Sequence, residues 1–157
     1  PPGGERTPRL LHARQVIDRG RTGIAAMSVG IAQAALDMAV SYAKERIVFG
    51  ERLADFQGLR WMLAEMEADV EAARYLTYYA SSLKDKHIRF SKQAACAKLF
   101  AAEAAHRVVD KALQIHGGYG YMKEYPIERL YRDQRITEIF EGTSQIQKIV
   151  IAGQLLK

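Results

Sequence analysis

The sequence predicts an all-α protein, an antiparallel four-helix bundle with a short extra helix. Three observations carry that prediction. Apolar residues recur at helical spacing through three long segments, the connections between those segments are short, and hydrophobicity nowhere alternates with period two for long enough to argue a strand.

The opening residues, PPGGERTPR, are rich in Pro, Gly and Arg and show no periodicity. Residues 1–15 are therefore expected to form a disordered leader or an expression remnant, and residues 16–157 the folded domain. From Thr22 to about Val48, Ile24, Met27, Ile31, Ala34 or Ala35, Met38 and Tyr42 fall on one helical face, and Gly50 stops the helix. A second helix is expected from about Asp55 to Lys86, through Leu59, Leu63, Met66, Val70, Ala73, Leu76, Ala80 and Leu83. The third takes Ser91 as N-cap, repeats through Ala95, Leu99, Ala102, His106, Val109 and Leu113, and ends at Gly117, a good C-cap residue. Pro126 suits the first turn of the short helix, and Thr143 opens a last helix that runs to the C-terminus.

At 157 residues the chain is one domain's worth. With 48% hydrophobic and 26% charged residues, and no uninterrupted apolar run of bilayer length, no membrane span is expected. The single cysteine, Cys96, excludes an internal disulfide and sits among alanines as core filler. The formal charge of +5 comes from dispersed Lys and Arg that never interleave with aromatics, so no nucleic-acid partner is expected, while phosphorylated small molecules stay open.

Three local patterns carry possible chemistry. Glu103 and His106 form Glu-x-x-His, half of the ligand set of a di-metal bundle; that chemistry needs the pair twice, so an ordinary half-buried histidine is the better reading and no metal is expected. Gly117-Gly118-Tyr119-Gly120 follows a helix instead of a strand, which rules out a dinucleotide fingerprint and leaves either a C-cap turn or a close ligand approach. In TEIFEGTSQIQKIV, from Thr137 to Val150, Glu141-Gly142-Thr143 interrupts an otherwise helical apolar pattern. The break is either a turn between helices or a mount for the Glu141 carboxylate.

Three segments together resemble the C-terminal domain of acyl-CoA dehydrogenases: YAKERIVFG (Tyr42 to Gly50) with Phe56-Gln57, QIHGGYGYMKEYPIERLYRD (Gln114 to Asp133), and TEIFEGTSQIQ (Thr137 to Gln147). The resemblance covers about Val16 to Lys157, in order and without gaps, and is closest to the short-chain (butyryl) and medium-chain branches.

The resemblance implies an FAD enzyme that oxidises an acyl-CoA thioester to the trans-2-enoyl thioester and passes electrons to an electron-transferring flavoprotein. It makes Glu141 the base for the α-proton, a weakly acidic proton that needs a carboxylate aimed at it in a dry pocket. Some branches, such as the isovaleryl and long-chain enzymes, carry that glutamate at the start of the first long helix, directly before an arginine. Here the segment is Asp18-Arg19-Gly20-Arg21, with Gly20 at that position, so Glu141 is the candidate. Asp18, Arg21 and the Gly142 backbone match positions beside the substrate. Arg46, Phe49 and Gln57 match positions at the adenine dinucleotide end of FAD, in the family that of the neighbouring subunit, where a guanidinium suits pyrophosphate. Gln114, Ile115, His116, Gly117 and Gly118, and then Thr143, Ser144 and Gln145, match further FAD contacts.

A full-length family member also has an N-terminal helical domain and a central β-domain, so the chain is expected to be a fragment or a subunit completed by another chain. The resemblance further implies a homo-oligomer, a dimer or tetramer, in the bacterial cytoplasm or the mitochondrial matrix. The rival readings are a non-catalytic scaffold or oligomerisation bundle and a subunit of a hetero-oligomeric dehydrogenase.

Overall fold

The computed structural model describes the backbone from Pro8 to Lys157, with side chains from Val16 onward. Five α-helices carry the fold: α1 (Pro8–Glu45), α2 (Gln57–Asp85), α3 (Ser91–His116), α4 (Ile127–Arg135) and α5 (Ser144–Leu155). The first seven residues of the expected leader lie outside the described residues. The rest of it already belongs to α1, which starts at Pro8, a residue that suits a helix start because its missing N–H costs nothing there.

The helices run up, down, up and down, and the fourth is broken. Tyr42 near the end of α1 stacks on His116 at the end of α3, and Asp18 near the start of α1 meets Ser91 at the start of α3, so these two are parallel. Asp69 and Glu65 on α2 pair with Arg107 and Lys111 on α3, which sets α2 antiparallel. Ile127 of α4 packs in the core with Ala112, Glu138 reaches His106, Gly142 reaches Lys98, and Val150 of α5 lines a cleft with Ser91. The fourth member is thus α4 and α5 laid end to end along α3, separated at residues 139–143.

The α1–α3 seam is made of small side chains. Ala25, Ala32, Ala35, Ala39 and Ala43 face Ala94, Ala97, Ala101, Ala104, Ala105 and Ala112, all essentially fully buried. Small residues let helix axes approach closely, which is why these parallel helices pack so tightly. The sequence reading, weighted toward bulky residues, places the inner face of α1 one position off: Met27 is exposed, while Ala25, Ser28 and Val29 are buried. By length and composition α1 is long and apolar enough to cross a bilayer over Val16–Glu45, an 18-residue stretch of it reaching a mean hydropathy of 1.5 although charged residues interrupt the helix. Its apolar residues form the core seam.

Two further differences concern local structure. The segment after α1 folds into a two-residue ribbon, β1 (Ile47–Val48) with β2 (Glu51–Arg52), too short for alternation to announce it. Its turn, Phe49-Gly50, has φ of 54° and 85°, positive at both central positions as a type I′ hairpin requires. Ser91 is not an N-cap: Phe90 holds that place, and the Ser91 hydroxyl instead donates to Asp18 Oδ2 at 2.5 Å. Thr143 does cap α5, its hydroxyl accepting from the Ile146 N–H at 3.3 Å.

Candidate active site

The break in the fourth helix is a left-handed turn held by side chains from two helices. Glu141 has φ of 53°, a left-handed conformation that costs a non-glycine residue about 1–3 kcal/mol, and Gly142 follows with φ of 91°. Three side-chain bonds hold it there. Lys98 Nζ donates to the Gly142 carbonyl at 2.8 Å, and Gln147 Nε2 donates to the carbonyls of Gly142 at 2.8 Å and Glu141 at 3.3 Å. A net hydrogen bond is worth about 1 kcal/mol, and one from a charged donor roughly 1.5–3, so together they outweigh the strain. Gly142 suits glycine because its φ of 91° strains any side chain, and a Cβ there would also displace Gln147 Nε2, 2.8 Å away.

The turn sends the Glu141 carboxylate across to α1. It lies against Gly20, where a Cβ would come within 2.6 Å of Oε2. Beside it, buried Arg21 donates to buried Asp18 at 2.9 Å. Asp18 and Arg21 line a cleft of about 250 Å³ with Ile17, Arg89, Ser91, Val150 and Gln154. Base candidate and substrate-side residues therefore come together, from chain positions more than a hundred residues apart. Glu141 itself is exposed in this chain, so the dry surroundings expected for it are not supplied by the described residues.

Further along the turn, Ser144 is buried and Gln145 exposed. Ser144 Oγ and Arg21 Nε are buried polar atoms without a hydrogen-bond partner in the protein. Such orphans are costly unless something satisfies them, and both belong to residues expected to meet a ligand. This donor set fits a polar cofactor and a thioester.

A second cleft, of about 450 Å³, lies at the far end of α3. Arg46, Ile115, His116, Gly117 and Gly118 line it together with Tyr42, Val48, Leu53, Tyr119 and Met122. The Arg46 guanidinium sits 5.1 Å from the Tyr119 ring centroid, and His116 stacks on Tyr42 while its Nδ1 donates to the Ala112 carbonyl at 2.7 Å. Burial pushes the Tyr42 phenol above its usual range, with Arg46 opposing. Flat aromatic walls, an arginine and two glycines fit the adenine dinucleotide part of FAD. The structure does not bring all the expected residues there: Gln114 is exposed, Gln57 opens α2 facing solvent, and Phe49 projects from the hairpin tip, 95% exposed and left-handed. Lys98 and the cleft residue His116 are eighteen positions apart on one helix, hence about 27 Å.

The pair expected not to hold metal is divided: Glu103 lies 3.4 Å from Lys148 and His106 3.2 Å from Glu138. Among the described residues no group of three potential metal ligands occurs.

Two residues of the turn escaped the sequence reading, Lys98 and Gln147, both completely buried. The signal for Lys98 was present as a lysine interrupting the alanine stripe of Ala94, Ala97, Ala101 and Ala105, where the inner face of α3 must run.

Comparison with known proteins agrees with this fold. The family model for "Acyl-CoA dehydrogenase, C-terminal domain" matches residues 11–156. The chain is 55% identical to the mitochondrial short-chain specific acyl-CoA dehydrogenase of Bos taurus, over 92% of this chain and 35% of that protein. It is 51% identical to the CarC subunit of the caffeyl-CoA reductase–Etf complex of Acetobacterium woodii, over 98% of this chain and 41% of that one. Among solved structures, butyryl-CoA dehydrogenase from Megasphaera elsdenii superposes with a TM-score of 0.94 at 45% identity, covering 98% of this chain and 40% of the other. The chain thus spans about two-fifths of the length of the relatives it matches.

Proposed function

Because this chain belongs to the acyl-CoA dehydrogenase family, whose C-terminal helical domain it forms, we propose that it supplies the base and part of the cofactor cradle of an enzyme that converts short- or medium-chain acyl-CoA to trans-2-enoyl-CoA. One observation carries the reading. Glu141 is held on a strained turn, at a cost the surrounding hydrogen bonds must offset, and its carboxylate lies against Gly20 of α1, within the Asp18–Arg21 segment. Strain maintained in this way clusters at functional sites, and here it coincides with three side-chain hydrogen bonds to the turn.

Glu141 takes the α-proton, since it is the exposed carboxylate set against α1 beside Arg21 and Asp18, and the Asp18 carboxylate is tied up with the guanidinium. Arg21, its charge balanced by Asp18, lines the thioester side with the Gly142 backbone. FAD, when bound, supplies the acceptor for the β-hydrogen as hydride. Arg46, His116, Gly117 and Gly118 hold its adenine dinucleotide end, with Phe49, Gln57, Gln114 and Ile115 at the margins, and Thr143, Ser144 and Gln145 hold the end nearer Glu141. The 27 Å between the two clusters supports their serving two cofactors in a homo-oligomer, a dimer or tetramer, in which Arg46 reaches the neighbouring subunit's flavin. The electron acceptor is an electron-transferring flavoprotein, with no nucleic-acid partner and no membrane span. The setting is the bacterial cytoplasm or the mitochondrial matrix, the second in keeping with the bovine relative's name.

The test is Glu141→Gln in the full-length, flavin-loaded enzyme. Flavin content is expected to be kept, while flavin reduction by butyryl-CoA falls by about 10²- to 10⁴-fold. Undiminished reduction would remove Glu141 from the role.

The identity to the caffeyl-CoA reductase subunit favours a second reading, in which the same site works toward the saturated thioester inside a hetero-oligomeric complex. Glu141, protonated, then returns the proton to the α-carbon. Assay of the intact enzyme in both directions separates the two.

A further inference from the structure

Lys98 is out of place by every ordinary rule for lysine. Its side chain is fully buried on the alanine face of α3, where transferring an ammonium from water is costly unless something compensates. The compensation is unusual. Its hydrogen bond is not to a carboxylate but to the main-chain carbonyl of Gly142, at 2.8 Å. Glu138, from the 3₁₀ turn Ile136–Glu138, is already engaged by Arg135 at 2.8 Å and His106 at 3.2 Å. Arg21, facing from α1, is balanced by Asp18. The remaining carboxylate facing this cluster is Glu141. A methionine would fill the same space among the alanines at far lower desolvation cost, so packing alone does not account for a lysine here.

We propose that Lys98 is a positioning residue for Glu141: by donating to the Gly142 carbonyl it holds the left-handed Glu141–Gly142 turn and so fixes where the Glu141 carboxylate stands. The inference rests on Glu141 being the base. Burial pushes the Lys98 ammonium below the usual lysine range, with Glu138 opposing, Arg21 adding to the shift and Glu141 opposing. The two acidic groups thus favour the charged ammonium that the turn requires. Gln147 holds the same carbonyl from the other side, so loss of Lys98 leaves the backbone anchored by one donor and free to swing.

The experiment compares Lys98→Met, Lys98→Gln and Glu141→Gln in the full-length, flavin-loaded enzyme, by rapid-mixing flavin reduction with butyryl-CoA, alongside KM, flavin content and thermal melting. Lys98→Met is expected to slow reduction about 10- to 100-fold, the usual loss when a reacting group is displaced by an ångström or so, with little change in KM. Lys98→Gln, which keeps a donor at that position, recovers part of the rate at unchanged KM. A wild-type rate in Lys98→Met overturns the inference, and so does a slowed rate that Lys98→Gln does not recover, which is the pattern of general loosening. If Lys98→Met loses flavin or melts, Lys98→Gln decides: a largely kept rate at unchanged KM supports the inference, and a rate as low as that of Glu141→Gln overturns it. Normal reduction by Glu141→Gln would instead show that the base assignment has failed, whatever the lysine variants do.

Discussion

The carboxylate of Glu141 rests on the α-carbon of Gly20: a Cβ built at Gly20 would lie 2.6 Å from Oε2, 2.9 Å from Cδ and 3.3 Å from Oε1. The first long helix therefore lacks a side chain where the carboxylate lies, and any larger residue at position 20 would require the Glu141 side chain to move.

Gly20→Ala separates stability from activity. Inside a helix the change gains about 1 kcal/mol of propensity, so thermal melting should hold or rise. The new methyl pushes the carboxylate aside, and flavin reduction by butyryl-CoA in the full-length enzyme should fall about tenfold or more. A variant as fast as the parent would show that the carboxylate has room to spare.

Arg46→Ala should weaken flavin retention. A hydrogen bond to a charged group is worth roughly 1.5–3 kcal/mol, so the dissociation constant for FAD in the assembled enzyme should rise about 10- to 100-fold. Helix content by circular dichroism should not change, since Arg46 is exposed and outside the bundle core. Equal flavin affinity would remove Arg46 from the cradle.

Lys98 should also leave a signature in stability. Its folded-state pKa lies below the unfolded value near 10.5, so the unfolded chain binds more protons in the window between them. Stability contributed by this group is lowest below that window and rises as pH climbs through it. The unfolding free energy of the parent minus that of Lys98→Met should therefore increase from neutral pH toward pH 10, in urea titrations at matched ionic strength. Other lysines and tyrosines cancel in the difference.

The 157-residue chain on its own should self-associate and hold little FAD. Trp61, Tyr75, Tyr78 and Tyr79 on α2 are each more than half exposed, an apolar display that drives association when uncovered. Sedimentation at micromolar concentration should give a dimer or tetramer, and absorbance at the flavin bands should be weak. A strictly monomeric or fully yellow sample would contradict this.

Much of the bundle was legible because α2 and α3 obey the 3.6-residue rule with residues whose hydrophobicity is plain. Met66, Val70, Ala73 and Ala80 are buried where the periodicity puts them. The α1 face was misplaced because alanine contributes little to a hydrophobic pattern yet decides which faces can approach closely. The hairpin at Ile47–Arg52 was missed because a two-residue ribbon has no period. Glu141 stood out, since a glycine and a capping threonine after a carboxylate break an apolar helix visibly. Lys98 is only half legible: its place in the alanine stripe marks it as inward-facing, but nothing local says that it ends on a carbonyl 44 residues away.

The rigid alanine-lined α3 carries one more consequence, for the lengths this protein family can tolerate. The helix is a ruler with Lys98 and the Glu141 turn at one mark and His116 at the other. One inserted residue would lengthen it by only about 1.5 Å but rotate one mark against the other by about 100°, turning His116 out of the cleft it shares with Arg46. Seven inserted residues would restore the phase and open the spacing by about 10 Å. Neither error can be absorbed by a seam of alanines that locks α1 and α3 along their length, so insertions and deletions should be confined to the connections and excluded from residues 98–116.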